Sequence, residues 1–353
     1  MANVIEHLFH LNRFLDFHSY LGIPNWLGYT IIFSTVFFVV IYFMHQDPPR
    51  PTSHTSLEQL TNNRVRTSVS FQRIPTNGIK LHTLVAGDPS KPLVILLHGF
   101  PEFWKTWECY IDELVNAGYY VMVPDQRGYN LSSKPTDIGD YKMTKLADDI
   151  IGLIDFAKKE KAYLASHDWG ALVAWYLVTQ RPEKFYKAVI VSAPHTSAAI
   201  KVMSKDPVQR SKMGYMKFFQ LPFIPQHSLS KNNFYELEKI LLTTSNPGTF
   251  TSEDIRAYKQ AWNDRGTLNG MLHWYRAALM KRTPFAKDKK TAKIPVKIIW
   301  GKKDHVLGTA LAEESLKYCE QGSLDIIEDG THWLLHEHPE KIRKIIIDFF
   351  RSG

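Results

Sequence analysis

Two cysteines in 353 residues, Cys109 and Cys319, stand far apart without a CxxC pair. That leaves no material for a disulfide framework or a thiolate metal site, and it implies a reducing compartment with core thiols. There is no HExxH zinc pair, no glycine-rich phosphate loop and no internal repeat. Nucleotide-dependent chemistry and solenoid architectures are therefore set aside. The spacing of His332 and His336 is that of a metal pair on a helix, but no converging carboxylate accompanies it in sequence. No metal or organic cofactor is expected, and His336 and His338 are expected to be exposed ahead of Pro339. The net charge of +8 is spread over clusters such as Lys158-Lys159, Lys281-Arg282 and Lys287 to Lys290, none interleaved with aromatics. These read as solvated helix faces, and no nucleic-acid partner is expected.

What is present is a globular composition, 44% hydrophobic and 22% charged, long enough for one large domain or two ordinary ones. Residues 1–26 form a short N-terminal segment. Leu27 to Met44 then runs without a single charge. As a helix it would be about 27 Å long, the thickness of a thin hydrocarbon layer. Trp26, Tyr29 and Tyr42 fall near its ends, where amphipathic rings favour the interface. A cleaved signal peptide would start earlier, behind a basic stretch, and end in a small-x-small site. The expectation is a transmembrane helix at 27–44 and a polar tether at 45–68. Arg13 alone precedes the span, whereas Arg50, Arg64 and Arg66 follow it, placing the body on the cytosolic side.

From about residue 69, short apolar runs alternate with amphipathic stretches. Strands are expected at Val94 to Leu97, Tyr120 to Val123, Ala162 to Ala165, Ala188 to Val191 and Val296 to Trp300. Helices are expected at Asp149 to Lys158, Leu172 to Gln180 and Glu340 to Phe350. The pattern implies an α/β fold with a mostly parallel central sheet flanked by helices, spanning 69–353, with ligands bound beyond the carboxyl ends of the strands. Residues 196–290 lack clear strand runs and read as an inserted helical cap.

Ala165-Ser166-His167-Asp168-Trp169-Gly170 follows one apolar run and leads into another, with small residues on either side of Asp168. This is the spacing of a nucleophile elbow carrying a carboxylate where many hydrolases carry serine. An Asp before Trp-Gly also serves as an ordinary turn residue, so the rest of the chain must decide. Three further segments bear on it. His98-Gly99-Phe100-Pro101-Glu102-Phe103-Trp104 ends a strand and can aim the Phe100 amide. With the Trp169 amide it would make an oxyanion hole. Trp300-Gly301-Lys302-Lys303-Asp304 places an acid after a strand, and Gly330-Thr331-His332-Trp333 places a base before the last helix. The order Asp168, Asp304, His332 is nucleophile, orienting acid, general base. A carboxylate nucleophile suits displacement at a saturated carbon, giving an ester that activated water then cleaves.

With these residues assembled, the chain resembles the epoxide hydrolases of the α/β-hydrolase fold, and among them looks most like the N-terminally membrane-anchored animal members. The resemblance covers roughly residues 69 to 353. It rests on His98-Gly99-Phe100-Pro101, Asp125-Gln126-Arg127-Gly128-Tyr129, His167-Asp168-Trp169-Gly170, Asp304, and His332-Trp333 followed by Glu337 and Pro339. Haloalkane and fluoroacetate dehalogenases share most of these motifs. Tyr215-Met216-Lys217-Phe218 and His273-Trp274-Tyr275-Arg276 resemble the cap segments that carry two epoxide-holding tyrosines, which implies that role for Tyr215 and Tyr275. Two positions depart from the family pattern: Asn130 replaces a usual Gly, and Ser166 a common Gly. The resemblance implies conversion of lipophilic epoxides, fatty-acid epoxides among them, to diols. It also implies an endoplasmic-reticulum membrane location and an apolar pocket lined by His98, Pro101, Trp104 and Trp333. The alternatives are a dehalogenase on the same scaffold, or a catalytically silent membrane-tethered binding protein.

Overall fold

The computed structural model describes residues 65–280 and 290–352. The expected span at 27–44 and nearly all of the tether lie outside them, as does the end of the expected cap. Among the described residues no helix is long and apolar enough to cross a membrane.

Eight strands form one sheet in the order β1-β2-β4-β3-β5-β6-β7-β8. β1 (Val69–Thr76) and β2 (Ile79–Ala86) are an antiparallel hairpin, and β2 continues antiparallel onto β4 (Tyr120–Pro124). The hairpin turns on Asn77-Gly78, both with positive φ (44° and 77°), the two-residue connection whose twist matches the strands. From there β3 (Leu93–Leu97), β5 (Ala162–His167), β6 (Phe185–Val191), β7 (Ala292–Gly301) and β8 (Cys319–Ile327) pair in parallel. All five residues of β3 and of β4 are buried, because parallel strands covered on both faces have no solvent side. The strand order reverses at β3 and β5, and the loops leaving their carboxyl ends flank a crevice suited to a ligand.

Helices cover the sheet. α1 (Ile111–Asn116) follows a 3-10 turn at Trp104–Tyr110, α2 (Met143–Phe156) packs on β1 and α3 (Asp168–Gln180) packs on β5, β6 and β7. The sequence places α3 from Leu172. It begins four residues earlier because the proposed nucleophile itself opens the helix. From the end of β6 to Ala278 the elements are all helices: α4 (Thr196–Lys205), α5 (Pro207–Lys212), α6 (Tyr215–Phe218), α7 (Ile224–Thr244), α8 (Ser252–Trp262) and α9 (Thr267–Ala278). α4 packs against α10 (Thr309–Leu316) of the body, so the first helix of the expected cap belongs with the sheet's flank. α7 is interrupted at Lys231 to Phe234, where Asn232, Asn233 and Phe234 all take positive φ. α11 (Leu334–Glu337) and α12 (Pro339–Arg351) close the body, with Ile342, Ile346 and Phe350 forming the inward stripe of α12. The expectation of two core thiols fails for Cys109, which is exposed. Cys319 is half-buried, and burial pushes its thiol pKa up to about 12.

Candidate active site

Asp168 leaves β5 with φ of 48°, a left-handed angle that makes the sharp turn into α3, and its carboxylate meets the Phe100 amide and His332. Its neighbours must be glycine. A Cβ on Gly99 would lie 2.5 Å from Asp168 Cβ, and one on Gly170 would lie 2.5 Å from the His98 carbonyl oxygen. The space a side chain would need at Gly99 is thus filled by the carboxylate itself. Ser166 is accommodated because its hydroxyl, buried in the elbow, donates to the Val189 carbonyl on β6 at 3.1 Å. Asn130 takes the left-handed angle (φ 39°) that glycine adopts freely, and its amide donates to Asp125 Oδ2 at 2.8 Å.

The three expected catalytic side chains converge. Asp304, after β7, accepts the Val306 and Leu307 amides on Oδ1, both at 2.8 Å, while Oδ2 faces His332 Nδ1 at 2.7 Å. The other imidazole nitrogen, Nε2, lies 3.6 Å from Asp168 Oδ2. Burial opposes a charge on His332, but the Asp304 and Asp168 carboxylates outweigh it and raise its pKa well above the ordinary histidine range. Burial likewise opposes ionisation of Asp168. The His332 hydrogen bond, the His332 and His167 charges and the Phe100 amide hold its pKa below the ordinary value. That amide donates to Asp168 Oδ1 at 2.9 Å, and the Phe100-Pro101 peptide beside it is cis.

Tyr215, opening α6, and Tyr275, in α9, bring their rings to 6.0 Å from each other. Tyr275 also stands edge-on to Trp169 at 4.7 Å and to Phe100 at 5.2 Å, which ties it to both sides of the elbow. Burial, then the Asp168 and Asp304 charges, pushes the Tyr215 phenol up. Burial, with Tyr215 and Asp168 beside it, does the same to Tyr275. Both phenols therefore keep their protons at neutral pH and are donors. α9 is fixed to the body by backbone contact. A Cβ on Gly270 would lie 2.4 Å from the Gly128 carbonyl oxygen, and the Trp274 indole donates to the Arg127 carbonyl at 2.8 Å. Arg127 is in turn clamped by Asp149, with Nε and Nη2 donating to its two oxygens at 2.8 and 2.6 Å.

Two expected pocket residues serve elsewhere. His98 has 0% exposure, and its Nε2 accepts the Gln126 amide while Nδ1 faces the Gly99 carbonyl. Trp104, at 1% exposure, packs edge-on against Phe71 and Phe103. Both ring nitrogens of His98 are taken up within the loop and the Trp104 ring is enclosed by Phe71 and Phe103, so these two shape the loop rather than wall a pocket. Pro101 is also buried, its carbonyl accepting the Trp262 indole of α8. Trp333 stands edge-on to His332 at 5.3 Å and donates to Thr244, on the base's side of the site.

Sequence reasoning missed a charged group at the floor of this site. Glu102, 1% exposed, accepts from His167 Nδ1 (2.9 Å), His336 Nε2 (2.7 Å) and the Tyr258 hydroxyl (3.1 Å). His167 Nε2 lies in turn 2.9 Å from the His332 carbonyl, so both ring nitrogens of His167 face oxygen atoms. Burial disfavours charge on Glu102, but the hydrogen bonds from His167 and His336 hold its pKa well below the usual carboxylate range. His336 is thus half-buried and committed to a carboxylate, which corrects the expectation that it is exposed. The signal was an acid placed between Pro101 and Phe103 in an otherwise apolar strand-end loop.

Residues 92–339 match the family model of the alpha/beta hydrolase fold. The chain is 42% identical over 284 residues to the AB hydrolase superfamily protein YfhM of Bacillus subtilis, covering 80% of this chain and 99% of that protein. It is 32% identical over 289 residues to human Epoxide hydrolase 4, covering 80% of this chain and 78% of that one. Among solved structures, a Bacillus megaterium epoxide hydrolase in complex with an inhibitor superposes with a TM-score of 0.73 at 28% identity, over 80% of this chain and all of that one. The chain belongs to the epoxide hydrolases of the α/β-hydrolase fold, and is accordingly a hydrolase.

Proposed function

We propose that the protein opens lipophilic epoxides, fatty-acid epoxides among them, to vicinal diols through an ester formed on Asp168. The observation that carries this reading is an ionised Asp168 carboxylate paired with His332 while two protonated tyrosines stand over the elbow. Asp168 Oδ2 displaces the epoxide oxygen from carbon. Tyr215 and Tyr275 share the charge of that oxygen as the ring opens, since an alkoxide leaves poorly without a donor. A halide needs no such donor, which favours the epoxide over the haloalkane. Oδ1, already bonded to the Phe100 amide, becomes the ester carbonyl. His332, oriented by Asp304, then deprotonates a water that attacks this carbonyl, and the Phe100 and Trp169 amides receive the oxyanion. The opened oxygen has by then taken the proton that His332 carries at rest. On collapse of the tetrahedral intermediate His332 passes the water's proton to the departing oxygen, the diol leaves, and the new carboxyl of Asp168 returns its proton to His332.

In heavy-oxygen water, His332→Gln is expected to accumulate a covalent adduct on the peptide containing Asp168, while the wild-type enzyme labels that carboxylate over repeated turnovers. Diol formation by the variant with no adduct sinks the mechanism. The apolar stretch at 27–44 supports a single N-terminal anchor, with the catalytic body facing the cytosol from the endoplasmic-reticulum membrane. Deleting residues 1–46 is expected to release the protein, and retention on carbonate-washed membranes counts against a lone span.

A further inference from the structure

Leu221-Pro222-Phe223-Ile224 is a run of four consecutive exposed apolar residues on the cap, with Leu221 at 42%, Phe223 at 45% and Ile224 at 56% exposure. Such runs are avoided on soluble surfaces unless something covers them. A tight turn at Phe223 (φ 61°), closed by the Ile224 amide on the Pro222 carbonyl at 2.7 Å, sets the tip of the run. The run is not loose. Arg276 donates to the Phe219 and Leu221 carbonyls at 3.0 and 2.8 Å, and Gln220 donates to the Tyr275 carbonyl at 3.1 Å. The tip is therefore fastened to the helix that carries Tyr275, a few residues beyond Tyr215. Leu279, three residues after Arg276 at the end of the same helix, is a further exposed apolar side chain, at 54%.

Charge identifies the partner. Pro207 to Tyr235 contains Arg210, Lys212, Lys217 and Lys231 and no Asp or Glu, and Arg265 to Met280 adds two arginines and again no acid. In a chain with 35 acidic residues, an acid-free cationic flank on both segments around an apolar tip matches an anionic lipid surface. A second copy of this chain would present the same positive charge to itself. We infer that this cap tip docks on an anionic bilayer surface, apolar side chains in the headgroup boundary and lysines on the phosphates. The site would then draw lipophilic epoxide from the lipid phase, and this last clause rests on the function proposed above.

The test uses the full chain with Phe223→Cys in a Cys109→Ser, Cys319→Ser background, labelled with an environment-sensitive fluorophore. Reconstituted into phosphatidylcholine vesicles containing phosphatidylserine, the label is expected to shift to the blue. Phosphatidylcholine alone or high salt is expected to give a smaller shift. Independently, Phe223→Asp/Ile224→Asp is expected to lower turnover of a vesicle-borne epoxide at least about tenfold, the partition loss of one large apolar side chain, and to leave turnover of a water-soluble epoxide unchanged. Three results overturn the inference: no shift with phosphatidylserine, a blue-shifted label before vesicles are added, or a shift that grows with protein concentration alone. Diol from neither epoxide, with the label shift intact, unseats the epoxide reading and leaves the docking surface standing.

Discussion

Replacing Glu102 by glutamine changes almost no volume and removes one buried negative charge. The carboxylate is held by three donors on two oxygens: His167 on Oε2, and His336 with Tyr258 on Oε1. A glutamine can keep its oxygen toward His336 and Tyr258 only by turning its NH2 toward His167, donor against donor. The opposite flip opposes two donors instead of one. Either way a buried imidazole nitrogen loses the carboxylate oxygen it faces, at about 1–3 kcal/mol. Breaking a buried ion pair from one side costs about 3–5 kcal/mol in total. For a body of this size each kcal/mol moves Tm by roughly 2 °C, so Glu102→Gln is expected to melt roughly 6–10 °C lower at neutral pH. The sign of the pH dependence is fixed by the direction of the shift. The folded-state pKa of Glu102 is depressed, so its contribution is complete above the unfolded value of 4.5 and is lost as pH falls through the folded value. Differential scanning calorimetry of wild type and variant should show a gap that is constant above about pH 5 and narrows below it. A gap under 1 °C at neutral pH, or one that widens on acidification, refutes the network as drawn.

Gly270→Ala sets a methyl 2.4 Å from the Gly128 carbonyl oxygen, so α9 must move outward by about 1 Å and carry Tyr275 with it. Turnover is expected to fall about 10–100-fold with the circular dichroism spectrum unchanged, and wild-type kcat excludes this docking as the determinant of tyrosine position. Tyr215→Phe and Tyr275→Phe are each expected to slow ester formation about a hundredfold in single-turnover measurements, and the pair to abolish it. An intact rate in the double variant removes the tyrosines from the mechanism. Because the Asp168 pKa is held below the ordinary value, ester formation is expected to stay level down to about pH 4. A break in the rate near neutrality counts against an ionised nucleophile.

The proposed nucleophile and orienting acid were legible because each follows a strand end, where an apolar run gives way abruptly to Gly, Asp or His. Ala162 to Ala165 placed Asp168 three residues on, and Val296 to Trp300 placed Asp304 four residues on. β8 carried no such signal. Cys319–Ile327 mixes Glu, Gln, Gly and Asp at a half-exposed sheet edge, so it has neither an apolar run nor clean alternation. The Glu102 network was illegible for a different reason. Its four members come from the loop after β3, the elbow, α8 and α11, and only the folded sheet brings them within hydrogen-bond distance. His98 and Trp104 misled because their proximity in sequence to the Phe100 amide says nothing about which way a side chain points. The loop sends Phe100's amide to Asp168 and turns both neighbours into the core.

In the proposed cycle one carboxylate sets the charge of the whole site. Before reaction, Asp168 and Asp304 flank His332 with two negative charges and favour its protonated form, which cannot accept a proton from water. Ester formation removes the charge on Asp168, so one of the two influences that raise the imidazole's proton affinity disappears. His332 then gives up its proton more readily and becomes a base at the moment a base is needed. Asp304 keeps its place against Nδ1 throughout, because the Val306 and Leu307 amides already satisfy its other oxygen and hold it there. An Asp168→Asn variant, isosteric and neutral like the ester, should therefore titrate His332 at lower pH than the wild-type protein in a nuclear magnetic resonance measurement. An unchanged titration would mean that Asp168 does not control the base, and that timing in the second step comes from somewhere other than charge.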